Sequence, residues 1–510
     1  MNKRKLIYFL SAFVLIVGCY ALNLSYSLFT QNIVPDTNAI DTSIPLISAN
    51  LETNTYTIPA NSEKFIKLKI INSGTADIQY GITINDTKGT IVQLVEGNNI
   101  IGTLDAPDSE AENTKTEVWV YVTNPTETEV SDLTFGLISK YNTVTFDNNE
   151  FINSSNFKKK EDGTFDTVKT LNGSVLASAK TATGDSTKLS NPETTIGTNS
   201  SETERVLSTS IDDYGESYYF RGNVIDNYVN YSGMCWRVVR IDGNGNTKLV
   251  LADENNECDD IEGNDKNSIG NYYSTSNGTS ALINSGQEYS FPIVVTQNAA
   301  KESLESMLND WGNTKIPDKT ALLDAEWCID KSISSEQYGT IYFSAYSRTN
   351  PILTCNITGI ENTTSLVYHE ENNSYLGMLT VDEVRLAGLS SSANTNNYLY
   401  TNTNGVTKAY WTLTPEYYFL YSDLESFLDM YNNSDKFESY DQGIYAVTKN
   451  GNINNSANIT YEYDGNPLGT GPLSVRPVIV IKNTVKVTTK EDVSSNGLPG
   501  TSNNPYVIIN

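Results

Sequence analysis

One histidine, His369, stands in 510 residues. Metalloprotease motifs and histidine-built metal sites need more than one, so both are excluded. A Ser-His-Asp triad would have to use this residue, and no Gly-x-Ser-x-Gly elbow accompanies it. No Cys-x-x-Cys pair offers a zinc site, and no glycine-rich loop of phosphate-binding form precedes a helix. Basic side chains are scarce: 34 Lys and Arg face 61 Asp and Glu, a net charge of -27. Nucleic acid, which requires a clustered positive surface, is therefore not an expected partner. With no catalytic constellation in view, the chain is read as a non-enzyme without a resident cofactor.

What is present points to export. Lys3, Arg4 and Lys5 precede an apolar run from Leu6 to Leu22, the layout of a secretory signal. Three fates stay open for residues 1–32. Ile16-Val17-Gly18-Cys19 resembles a lipoprotein box that would lipidate Cys19, Cys19-Tyr20-Ala21 suits a cleavage site, and the segment also suits an uncleaved anchor. Retention at the membrane, by helix or lipid, is the favoured reading, with the bulk of the chain outside the cell. Four further cysteines fit an oxidising compartment, and the expected pairs are Cys235 with Cys258 and Cys328 with Cys355.

The chain divides by composition. Residues 40–145 hold short alternating runs such as Phe65 to Ile71 and Thr116 to Val122, separated by turns, which predicts an antiparallel β-sandwich of immunoglobulin-like type. Residues 146–204 turn to Asn, Ser, Thr, Lys and Gly and read as a linker with a short helix near Val175 to Lys180. Residues 206–482 form a larger mixed domain, and residues 483–510 a tail able to make one more hairpin. At its centre Met234, Trp236, Val238 and Ile241 lead into Asp242-Gly243-Asn244-Gly245-Asn246 and return through Leu249, Val250 and Leu251, a β-hairpin pattern. A helix is expected from about Ala299 to Trp311, stopped by Gly312, and another behind the capping box at Thr380-Val381-Asp382-Glu383.

Two groups of residues are candidates for binding. Asp242, Asn244 and Asn246 place oxygens at alternate positions, with Asp253 where a calcium loop puts its last ligand. The same residues suit a tight turn, which is the preferred use, with calcium the alternative. Tyr410, Trp411, Tyr417 and Tyr418 lie among polar residues, a composition suited to stacking on sugars or contacting a protein, though strands also use such rings as core.

The series Tyr218-Tyr219-Phe220-Arg221-Gly222, Asn227-Tyr228-Val229, Trp236 to Ile241, Tyr410-Trp411-Thr412-Leu413-Thr414-Pro415 and Val475-Arg476-Pro477-Val478-Ile479 resembles an uncharacterised family of exported bacterial surface proteins. Its closing Arg-Pro-Val strand is similar to the C-type-lectin-like fold shared with formylglycine-generating enzymes. That resemblance implies a lectin-like α+β domain over residues 206–482 and a membrane-anchored cell-surface protein of recognition or adhesion, with a glycan or protein ligand. An envelope-acting hydrolase using paired carboxylates and a purely structural envelope protein are the alternatives.

Overall fold

The computed structural model describes residues 46–107, 113–143, 151–152, 154–182, 205–254, 257–258, 308–330, 333–337, 340–348, 350–355, 366–368, 375–400, 402–403, 406–407, 410–419, 442–448, 450–459, 475–489 and 498–509. The protein is mainly β, as its patterning predicts. The first nine strands are β1 (Ala49–Leu51), β2 (Thr55–Ile58), β3 (Ser62–Asn72), β4 (Ile78–Ile84), β5 (Ile91–Val95), β6 (Ile101–Leu104), β7 (Lys115–Asn124), β8 (Val130–Tyr141) and β9 (Thr167–Val168). They build one sheet in the order β1-β3-β7-β5-β9 and another in the order β2-β8-β4-β6. The run β1-β3-β7-β5 matches the A-B-E-D order of immunoglobulin-type sandwiches, and β8 beside β4 matches F beside C. Here β2 occupies the other side of β8.

Side chains alternate along a strand, so one register divides each strand between two environments. On β3 and β7, Ile66, Leu68, Ile70, Val118, Val120 and Val122 enter the core between the two sheets. Their neighbours of opposite parity, Phe65, Trp119 and Tyr121, belong instead to a second core shared with Tyr218, Leu207 and Trp236. Trp119 contacts Phe65 and Tyr218 edge to face, at centroid distances of 5.3 and 5.9 Å. This sheet is therefore buried on both faces, and the sandwich is fused to the domain that follows it.

The stretch read as a linker is the joint. Strand β9 adds to β5 in parallel, Leu94 opposite Thr167. The helix Leu171–Ala182 then inserts Leu171, Val175 and Leu176 into the second core. Its Ser174 carbonyl accepts from the Tyr506 hydroxyl at 3.1 Å, tying it to the C-terminal tail. The helix is the short one expected near Val175 to Lys180; composition does not show its docking, because Asn172, Gly173 and Ser174 serve as hydrogen-bonding and close-packing groups rather than as flexible spacers. Residues 183–204 lie outside the described residues.

The remaining strands are β10 (Arg205–Asp212), β11 (Gly215–Gly222), β12 (Tyr228–Tyr231), β13 (Met234–Ile241), β14 (Thr247–Asp253), β15 (Trp327–Ile329), β16 (Ile333–Gln337), β17 (Thr340–Phe343), β18 (Leu366–Tyr368), β19 (Leu376–Gly377), β20 (Asn402–Thr403), β21 (Val406–Thr407), β22 (Tyr410–Phe419), β23 (Gln442–Val447), β24 (Ile453–Ile459), β25 (Val478–Ile481), β26 (Val487–Thr488) and β27 (Tyr506–Ile508). The predicted hairpin β13–β14 lies at the centre of a nine-stranded sheet ordered β19-β25-β14-β13-β12-β27-β26, with β10 and β11 branching from β13. In the tail β26 pairs antiparallel with β27, and β27 joins β12 in parallel, while residues 490–497, where the turn is expected, lie outside the described residues. A five-stranded sheet, β16-β17-β22-β23-β24, lies outside this path.

Two helices qualify the sequence reading. The capping box forms as expected: Thr380 and Glu383 exchange side-chain and backbone hydrogen bonds at the start of the helix Val381–Leu386. The other helix continues through residue 315, and Gly312 lies within it rather than ending it. A Cβ at Gly312 would stand 2.5 Å from Leu376, so the glycine is a crossing point. Residues 299–307 are outside the described residues. Among the described residues no helix is long and apolar enough to cross a membrane, and the N-terminal segment with Cys19 lies outside them.

Candidate functional site

A cleft of about 560 Å³ opens where β3 faces the turn of the central hairpin. One wall carries Lys64, Lys67 and Lys69 with Glu52 and Tyr56, and the other carries Tyr214, Asn244, Asn246 and the segment Lys482-Asn483-Thr484. Lys67 and Lys69 share the parity of Phe65, so the alternation that fills the sandwich core also aims them outward. Lys67 is almost covered. It pairs with Glu117 at 2.8 Å and donates to the Glu216 and Gly243 carbonyls at 3.3 and 3.2 Å. Lys69 meets Glu52 at 3.2 Å. Four lysines line this cleft; Lys67 and Lys69 are neutralised by Glu117 and Glu52, which leaves Lys64 and Lys482 outside any ion pair among the described residues.

The far wall is rigid because its turn is hydrogen-bonded from within and from below. Asp242 Oδ1 accepts from the Asn244 and Asn246 amides at 2.9 and 2.8 Å, and Oδ2 accepts from Asn246 Nδ2 at 3.0 Å. Gly245 has φ +85°, where a side chain is disfavoured. A Cβ at Gly243 would stand 2.4 Å from the backbone at Tyr214 and Gly215, so only glycine fits there. Asn172 Nδ2 donates to the Gly245 carbonyl at 2.7 Å, and Asn483 Nδ2 donates to that of Asn244 at 2.8 Å.

Beneath the turn lies a buried ionic network. Arg240 meets Asp212 at 2.7 Å and Glu383 at 2.9 Å, and Lys248 meets Glu383 at 2.5 Å. Burial alone would raise the Glu383 carboxyl, but Lys248, Arg240 and the Thr380 amide outweigh it and hold the group at about 2. Burial raises Asp242 despite the opposing charge of Arg240 and the bonds from Asn246.

Both expected disulfides are present, Cys235 with Cys258 and Cys328 with Cys355, at Cα separations of 4.9 and 5.7 Å. The four residues considered for calcium are not brought together. Asp242, Asn244 and Asn246 form the turn, whereas Asp253 lies at the opposite end of β14, facing Cys235. Among the described residues no cluster of three or more metal-ligating side chains occurs.

Tyr410 is not an exposed ring: it is 1% exposed, its hydroxyl donates to the Leu399 carbonyl at 3.0 Å, and Arg476 lies over its face at 5.1 Å. Trp411, Tyr417 and Tyr418 are placed by backbone on β22, opposite Ala446, Gly443 and Gln442. His369 lies outside the described residues.

The recurrent arginines have structural tasks. Arg476 also donates to the Leu251 carbonyl at 2.8 Å, and Arg237, fully buried, lies 4.2 Å from the Tyr228 ring and donates to Asn227 Oδ1 at 2.8 Å. The segments around Arg237 and Arg476 thus supply fasteners between sheet and loops, while the cleft lies elsewhere. No protein-family model matches this chain, and no curated protein matches it.

A second polar cluster surrounds the helix Val381–Leu386. Arg348 bridges Asp330 and Asp382, and Arg385 meets Asp382 at 3.0 Å and lies 4.9 Å from the Tyr445 ring. Glu416 on β22 is 2% exposed, and its Oε2 has no hydrogen-bond partner among the described residues. Burial pushes its carboxyl up to about 8, with Arg385 opposing. None of these groups lines the cleft.

The signal that would have revealed the cleft was faint. Lys67 and Lys69 show as the polar half of an alternating strand, but nothing links them to Lys482, more than 400 positions away.

Proposed function

We propose that this chain is an exported protein held at the cell surface by its N-terminus, serving in recognition or adhesion, with the lysine-lined cleft as its ligand site. The observation that carries this is a cleft set against a braced turn, in which Lys64 and Lys482 stand outside any ion pair among the described residues. Two disulfides fit an oxidising exterior. A lectin-like assignment for the second domain belongs to the same reading and draws on the motif resemblance. The braced turn also favours binding, because a preformed wall loses little entropy when a ligand arrives.

The hydrolase reading draws on Glu416, a carboxyl held protonated by burial. A catalytic acid must reach substrate, however, and this one is enclosed by protein. A glycan and protein array probed with the full chain and with its Tyr214→Ala variant tests the proposal. Selective binding weakened by the substitution supports the cleft as the site. An array blank for well-folded protein, or binding indifferent to Tyr214, contradicts it.

A further inference from the structure

Resting on the cleft as the recognition site, we infer that its ligand is an acidic glycan, a saccharide segment bearing anionic groups. Two lysines in the cleft are poised for such groups. Lys64 Nζ donates to the Thr57 carbonyl and Lys482 Nζ to the Thr320 carbonyl, each at 2.9 Å, and among the described residues neither forms an ion pair. An ammonium group has three protons, so each keeps donors for an incoming anion while its carbonyl partner fixes its position.

Tyrosine rings supply the second element. Tyr214 is 47% exposed and feels the carboxylates of Glu326, Asp242, Asp213 and Asp212, while Tyr56 lines the same cleft half-buried, its ring edge to face with Phe135 at 5.8 Å and its hydroxyl on the Thr53 carbonyl at 3.0 Å. Such rings offer flat apolar faces with a polar edge, the surface a sugar ring covers well. The larger apolar liners, Phe65 and Ile66, are buried. What remains accessible is ammonium, amide, hydroxyl and phenol beside the half-buried Leu323 and the Glu52 carboxylate, and since Glu52 is paired with Lys69 the ammonium groups left for an anion are those of Lys64 and Lys482. The volume of about 560 Å³ falls within the roughly 300–1,000 Å³ typical of ligand clefts.

The test is calorimetric titration of the full chain with an oligogalacturonate, with its carboxyl-reduced neutral counterpart, with dextran sulfate and with polyglutamate. The inference expects the oligogalacturonate or the sulfated glycan to bind, the one preferred identifying the anionic group. Binding should weaken roughly tenfold for each of Lys64→Gln and Lys482→Gln, and it should fall as salt rises. The glutamine variants keep a hydrogen-bonding side chain, and circular dichroism verifies their fold.

Equal binding of the neutral counterpart, still lost in Tyr214→Ala, would overturn the acidic-glycan inference while leaving the cleft as the site. Equal binding of polyglutamate would overturn it too, since charge alone would then suffice. Binding of the acidic glycans that is unchanged in both lysine variants and in Tyr214→Ala would overturn the cleft itself, as would the absence of binding by any probe.

Discussion

Asp212 and Gly243 are joined across the base of the cleft: the carboxylate Oδ2 accepts the Gly243 amide at 3.0 Å while also holding Arg240 at 2.7 Å. One acid therefore braces the turn and neutralises a buried guanidinium. Asp212→Ala removes both functions and should destabilise the protein by about 3–5 kcal/mol, since it uncovers a buried charge. Denaturant unfolding measures the cost, and a loss below about 1 kcal/mol would mean that Arg240 rests on Glu383 alone.

Two buried carboxylates give opposite pH dependences. Glu416, raised from 4.5 to about 8, keeps in the folded state a proton that the unfolded chain has released. Its contribution therefore falls as pH rises from about 4.5 to about 8, by at most about 1.4 kcal/mol per pH unit, and is constant above that range. Glu383, lowered from 4.5 to about 2, contributes fully above 4.5 and is lost as pH falls toward 2. Thermal melts from pH 5 to 9 should show Glu416→Gln flattening the decline between pH 5 and 8. A variant curve parallel to that of the parent protein would contradict this account of Glu416.

Removing a disulfide tests the central hairpin. Cys235 and Cys258 are 23 residues apart, and the bond covers the end of β13 where Cys235 faces Asp253. The paired substitution to serine should cost roughly 3 kcal/mol by relaxing the unfolded chain. An unchanged midpoint in denaturant would show that β13 and β14 are held there by packing alone.

Calcium offers a further discriminating test. The Asp242 carboxylate is occupied by the Asn244 and Asn246 amides, and Asp253 lies at the far end of its strand. A melting midpoint equal in calcium and in chelator is expected. A midpoint that climbs with calcium concentration would show a bound ion.

Much of this architecture is legible in the chain because it is local. The turn from Asp242 to Asn246, the Thr380 capping box and the alternation of β3 each follow from residues a few positions apart. The cysteine pairs were legible because each spans fewer than thirty residues. What escaped depends on distant partners. Trp119 looked like one more strand residue until Tyr218 covered it, and Tyr410 looked available until Arg476 closed over it. The cleft belongs to that second class, since Lys64 and Lys482 meet only through the fold.

Hydrogen–deuterium exchange of the full chain, with and without the best ligand from the array, locates the binding site directly. The account predicts slowed exchange at Tyr214, at the turn Asp242 to Asn246 and at Lys482 to Thr484, together on one cleft. Protection confined to β22 and β23, with those three segments unchanged, would contradict it.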